Sequence, residues 1–249
     1  MSATLPHSIP GNDFTGNRDP REKLIVALDV STAAAAQKIV AAVGDSAFTY
    51  KVGMQLYTAE GPQVVRDLVA SSRRVFLDLK YHDIPTTVAA AVHEATRLGV
   101  SMLTVHASGG GKMLHAAVGA AHAINPALLV LGVTVLTSLD ANEMEKVGFR
   151  GTVREEVLRL AALALSNGCK GIVSSVHETA AVRAELGHNF AIVTPGVRPE
   201  GSRHGDQARV ATPAEAIAAG ASHIVVGRPI TEAADPAAEA RAILRQISP

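Results

Sequence analysis

One cysteine, Cys169, is all this chain carries, which excludes an intrachain disulfide and any metal site built from several thiolates. So thiol-poor a chain suits a reducing cytoplasm, the location expected for it. An excess of one charge is missing too. The 23 basic and 23 acidic side chains leave a formal net charge of +0, so nucleic acid and membrane surfaces have no broad electrostatic claim on it. No apolar run approaches the ~20 residues of a membrane span. Met1–Pro20 is polar and rich in Gly, Pro and Asn, without the apolar core of a secretory signal. Residues 1–22 are expected to form a flexible leader.

Several motifs are absent as well. No Gly-x-Gly-x-x-Gly follows the first predicted strand, where Asp29-Val30-Ser31 stands instead, and this disfavours a dinucleotide fold. None of the ten histidines falls into His-Glu-x-x-His or a similar ligand spacing. His82 reads as a loop hydrogen-bonder and His106 as a buried polar residue at a strand end. Ser174 and Ser175 lack the Gly-x-Ser-x-Gly elbow of a hydrolase. The Gly109–Gly111 run has no Gly-Lys-Ser/Thr after it and reads as a helix entry. No metal and no cofactor is expected.

What is present is an alternation of strand and helix in a chain of 249 residues, 47% of them hydrophobic, enough for one large core. Strands are predicted at Leu24–Val30, Phe48–Met54, from Arg74, and at Met102–Ala107, Leu128–Leu136, Gly171–Ser175, Phe190–Thr194 and His223–Gly227. Helices are predicted between them: Thr32–Val43, from about Thr58, Pro85–Leu98, from Gly111 to Ile124, around Val153–Leu165, up to Leu186, after Thr212-Pro213, and after Asp235-Pro236. Eight such units predict a single-domain parallel (β/α)8 barrel over residues 23–249, with an open doubly wound sheet as the alternative.

Strand parity then gathers charge at one end. Phe76, Asp78 and Lys80 share one face, as do Ala27 and Asp29, and Thr49, Lys51 and Gly53. Asp29, Lys51, Asp78 and Lys80 therefore point inward near the carboxyl ends of the first three strands. Charges there are tolerable mainly as an alternating hydrogen-bonded array, closed by Asp83. An ammonium between carboxylates stays protonated and is held still, as a proton donor requires. A purely stabilising ion network is the alternative. Gly196 and Gly227-Arg228 follow strands seven and eight, where barrels often hold phosphate, and Arg228 would add a bidentate clamp. The long Val197–Val210 connection, carrying Gly201, Gly205 and Gln207, is expected as a lid, with an ordinary surface loop as the alternative.

Taken together, DLKYHDIPTTV (Asp78–Val88), ALDV (Ala27–Val30), YKVG around Lys51, VTVLTS (Val133–Ser138), TPGVRPEGSRHGDQARVATP (Thr194–Pro213) and VVGRPI (Val225–Ile230) resemble the orotidine 5′-monophosphate decarboxylase family. The likeness runs from about Leu24 to the C-terminus. It implies a (β/α)8 barrel, a homodimer, no cofactor, and decarboxylation of orotidylate to UMP. It also implies a catalytic tetrad of Lys51, Asp78, Lys80 and Asp83, with Asp83 and Thr87 given across the dimer interface. Asp29 would hold the ribose beside Lys51, and Thr137 or Ser138 would read the pyrimidine edge. Gln207, Arg228 and the Gly227 backbone would hold the phosphate, assisted by Arg198. Three rivals remain: a Mg2+-dependent sister decarboxylase acting on a sugar phosphate, a Schiff-base aldolase using Lys51 or Lys80, and a phosphate-binding barrel without chemistry.

Overall fold

Strands that bury both faces need cover on both, and the chain supplies it by closing the sheet on itself inside a coat of helices. In the computed structural model, which describes residues 19–199 and 211–248, eight parallel strands close in sequence order. They are β1 (Leu24–Ala27), β2 (Thr49–Gly53), β3 (Arg74–Tyr81), β4 (Met102–His106), β5 (Leu129–Val133), β6 (Gly171–Val173), β7 (Ala191–Thr194) and β8 (His223–Val226). Ile25, Ala27, Phe76, Met102, Leu129, Leu131, Ala191, Val193 and Val225 fill the interior. The alternate residues, such as Leu24, Val26, Val75, Leu77, Leu103 and Val105, pack into the larger core beneath the helices. This is the two-residue periodicity expected of the sequence, with the barrel lumen as one face.

Helices start where the sequence caps them. The side chains of Thr32, Thr152, Thr212 and Asp235 each accept a hydrogen bond from the N–H three residues on, and Pro85, Pro213 and Pro236 sit in first turns. The helix expected from about Thr58 is in fact two, Met54–Glu60 and Gln63–Ala70, because Gly61 turns the chain with φ +66° and Pro62 follows. Short helices at Ala141–Lys146 and Arg228–Thr231 were not predicted. They are too brief to carry an apolar period. Strands also stop earlier than expected, β1 at Ala27 and β5 at Val133, so Asp29 and Thr137 lie on loops at the barrel mouth.

At the other end of the barrel, Asp19 caps a helical turn, Pro20–Lys23, and Glu22 pairs with Arg74 at 3.3 Å. The predicted leader boundary at residue 23 thus falls at the end of an ordered turn, and Met1–Arg18 lie outside the described residues. Among the described residues no helix is long and apolar enough to cross a membrane.

Candidate active site

Strand register decides which charges meet. Ala27 pairs with Lys51, Lys51 with Phe76, and Gly53 with Asp78. Lys51 therefore shares a layer with Ala27 and Phe76, while Gly53 and Asp78 form the layer above, at the height of Asp29. Gly53 contributes no side chain to that upper layer. The Lys51 ammonium rises through the gap and donates to Asp29 Oδ1 at 2.7 Å. A Cβ on Gly53 would stand 3.0 Å from Lys51 Nζ and 3.3 Å from Asp29 Oδ1. Gly53→Ala is therefore expected to push the ammonium aside and lower kcat/KM by about tenfold, an effect of about 1.4 kcal/mol. Its thermal midpoint should stay near that of the parent, because what must move is the far end of a flexible side chain. A normal kcat/KM would mean that the gap at Gly53 has no catalytic importance.

The second pair sits on a bulge. From Leu77 to Tyr81 β3 advances four residues while its partner β4 advances two, from Leu103 to Val105. Lys80 absorbs the excess with φ +52°, a left-handed conformation that a residue with a side chain seldom adopts and that recurs at functional sites. Two extra residues preserve the alternation, so Lys80 still turns to the mouth. Its ammonium donates to both Asp78 carboxylate oxygens at 2.9 Å. Thr104 on β4 joins this pair: its Oγ1 accepts from the Lys80 N–H at 2.9 Å and donates to Asp78 Oδ1 at 3.0 Å.

The charges are thus two ion pairs and not the single array the sequence suggested. Among the described residues no hydrogen bond or salt bridge joins Lys51 to Asp78, or Asp83 to either lysine. Asp83 is exposed, and its carboxylate accepts from the Ile84 N–H at 2.6 Å. Stagger puts the two lysines in different layers, and Asp83 lies beyond the strand end.

Both pairs open onto a cavity of about 540 Å³, a size suited to a small-molecule ligand. Asp29, Lys51, Asp78 and Lys80 line one side of it. Thr137, Gly196, Arg198, Gly227 and Arg228 line the rest of the rim, with Phe76, Val133, Val173, Val193 and Val225 beneath. Thr87 and the exposed Ser138 are not among its lining residues, and Gln207 lies outside the described residues. The feet of the Gln207 connection meet: Val197 bridges Ala211, and the Arg198 N–H donates to the Ala211 carbonyl at 2.9 Å. Among the described residues the lining holds four cations, Lys51, Lys80, Arg198 and Arg228, and three carboxylates, Asp29, Asp78 and Glu232. Among the described lining residues positive charge is thus in excess where an anion would enter.

Two lining or adjoining hydroxyls escaped the sequence reading. Thr104 shares the inward face of β4 with Met102, a parity signal that was available. Ser174, just past β6, lines the cavity with a buried hydroxyl that has no hydrogen-bond partner among the described residues. Ser175 caps the following helix, Val176–Leu186, accepting from the His177 N–H. The ring of His82, expected as a loop hydrogen-bonder, lies against that of His106, with centroids 5.2 Å apart and planes tilted by 34°. Burial first, then His82 and Lys80, push the half-buried His106 below the ordinary imidazole range, so it is neutral at pH 7. Among the described residues no three His, Cys, Asp or Glu side chains gather as a metal-ligand set would.

Comparison with known proteins bears on this geometry. The profile of the orotidine 5′-phosphate decarboxylase / HUMPS family matches residues 22–243. The chain is 54% identical over 224 residues to the orotidine 5′-phosphate decarboxylase of Anaeromyxobacter sp. (strain K), covering 90% of this chain and 97% of that one. It is 52% identical to the enzyme of the same name from Halorhodospira halophila, covering 91% and 96%. Among solved structures, the orotidine 5′-phosphate decarboxylase of Lactobacillus acidophilus superposes with a TM-score of 0.83 at 36% identity, covering 92% of this chain and all of that one. With the profile spanning all eight strands and relatives alike at half of their positions, this chain belongs to the orotidine 5′-phosphate decarboxylase / HUMPS family.

Proposed function

We propose that this protein decarboxylates orotidine 5′-monophosphate to UMP and CO2, the closing step of UMP synthesis, in the cytoplasm and as a homodimer. The observation that carries the reading is the Asp78–Lys80 pair at 2.9 Å, facing a cavity that Arg228 also lines, in a chain 54% identical to proteins named for this reaction. Loss of CO2 from C6 leaves an electron pair in the plane of the pyrimidine ring, where the π system does not delocalise it. Without an electron-sink cofactor, fixed charge must stabilise that carbanion. Lys80 supplies the cation beside C6 and then its proton. Asp78 stands against the substrate carboxylate and favours its departure, while Lys51 with Asp29 orients the ribose. Thr137, rather than the exposed Ser138, reads the pyrimidine edge, and Arg228, Arg198, Gln207 and the Gly227 backbone hold the phosphate. Asp83 and Thr87 act in the partner's site.

Arg228 has more than an anchoring role. One charge-assisted contact at the reacting centre lowers a barrier by about 3–4 kcal/mol, far less than the ~20 kcal/mol that so unactivated a decarboxylation needs. Binding energy from the remote phosphate must help organise the site. Arg228→Ala is expected to raise KM for orotidylate about a hundredfold, with a smaller fall in kcat. An unchanged KM would remove Arg228 from the phosphate site. The reaction itself is tested by the ultraviolet absorbance change of orotidylate with purified protein and EDTA present. Turnover that survives chelation supports the reading. Turnover that needs Mg2+, or occurs only with a sugar phosphate, would assign the chain to another branch of its family.

A further inference from the structure

The hydrogen-bond geometry around the bulge assigns Thr104 a role in the reaction: we propose that it is a positioning residue that holds the Asp78–Lys80 pair in its reacting arrangement. The inference rests on the decarboxylase reading above. In a regular ladder the Lys80 N–H would face β2, as the Arg74 N–H does in donating to the Phe48 carbonyl, while the Val75 carbonyl accepts from Ser101 on the β4 side. The bulge and the left-handed backbone of Lys80 withdraw it from that ladder, and the Thr104 hydroxyl takes it at 2.9 Å. A hydroxyl has one proton to give, and this one goes to Asp78 Oδ1 at 3.0 Å. Asp78 in turn accepts from Lys80 Nζ, closing a ring: Lys80 N–H to Thr104, Thr104 to Asp78, and the Lys80 ammonium back to Asp78.

The ring fixes two quantities that a strand end leaves loose. It sets the rotation of the Asp78 carboxylate, and it locks the backbone from which the Lys80 ammonium springs. Thr104 is fully buried, so no water can take the place of its hydroxyl. Only a side chain that accepts and donates at one atom serves both neighbours, so an isosteric valine serves neither. Misplacement of a reacting group by about 1 Å lowers turnover by about a hundredfold, and the ring governs displacements of that order.

The test compares the parent protein with Thr104→Val, Thr104→Ser and Thr104→Cys, measuring kcat and KM for orotidylate and the calorimetric affinity and stoichiometry of UMP. Thr104→Val is expected to lose at least about tenfold in kcat, with KM and UMP affinity within about threefold and one UMP still bound per chain. Thr104→Ser should stay within about threefold of the parent in kcat. Thr104→Val with parental kcat would overturn the proposal. So would a parallel loss of kcat and UMP binding, which marks general damage to the site, or a serine variant as slow as valine, which assigns the effect to the methyl group. If the valine variant does not fold, serine against cysteine decides: a thiol, being a weak donor and acceptor, should be clearly slower, and equal rates would refute the ring. Failure of the parent itself to turn over orotidylate would instead refute the decarboxylase reading.

Discussion

Lys80→Ala is expected to leave a folded barrel that binds UMP but no longer turns over orotidylate. On the proposed mechanism two losses coincide at one atom. The cation that faces the nascent carbanion disappears, an effect of about 3–4 kcal/mol for a single preorganised group. The proton that must reach C6 loses its donor, typically a further factor of about 10²–10⁴, although the two effects overlap. A fall in kcat of at least about a thousandfold follows. The fold should survive because the lesion is at the barrel mouth: the Lys80 and Asp78 side chains retain 24% and 14% exposure, so water can reach what is left. Asp78 also keeps the hydroxyl of Thr104. Removing one partner of a fully buried pair costs about 3–5 kcal/mol, and partial solvation reduces this to about 1–2 kcal/mol, a drop of several degrees in Tm for a chain of this size. The check is kcat under saturating orotidylate, with Tm and UMP affinity measured on the same protein. Near-normal turnover would remove the proton donor from the mechanism.

The parts of this site that were legible in the sequence are those that a strand encodes locally. Alternation of side chains put Asp29, Lys51, Asp78 and Lys80 on inward faces near strand ends, and the barrel carries them there because parity is a property of each strand's own backbone. The Gly227-Arg228 pair was found for the same reason, by its place after an apolar run. What stayed hidden depends on two strands at once. The stagger that drops Lys51 one layer below Asp78, and makes Gly53 the gap through which its ammonium rises, is set by register between β2 and its neighbours. The bulge at Lys80 depends on an acceptor supplied by Thr104, 24 residues away on β4. No local rule signals that β3 will advance four residues against two, since a left-handed lysine is a poor choice for an isolated strand and is sustained by its neighbours. The helix break at Gly61-Pro62 lay in the composition but was not predicted, whereas the helices at Ala141–Lys146 and Arg228–Thr231 are too short to carry an apolar period.

Mixing two inactive variants should restore activity. The likeness to the family assigns Asp83 to the neighbouring subunit's site, and the single chain is compatible with that. Asp83 and Thr87 are exposed and are not lining residues of their own chain's cavity, and Ile84 between them is 63% exposed, an apolar side chain on the rim that a partner would cover. Lys80→Ala leaves a subunit that can lend Asp83 but has no proton donor. Asp83→Asn leaves one that has the donor but cannot lend the carboxylate. When subunits exchange freely, about half of the dimers are mixed, and in each of these one site is doubly altered while the other is intact. Activity should therefore rise from near zero to about a quarter of the wild-type value per site. If Asp83 instead served its own chain, both sites of a mixed dimer would be defective, one lacking Lys80 and the other Asp83. Native mass spectrometry reports the mixed dimers directly, so the rate can be read against their known abundance. Mixed dimers without recovered turnover would return Asp83 to its own barrel and leave the shared site without support.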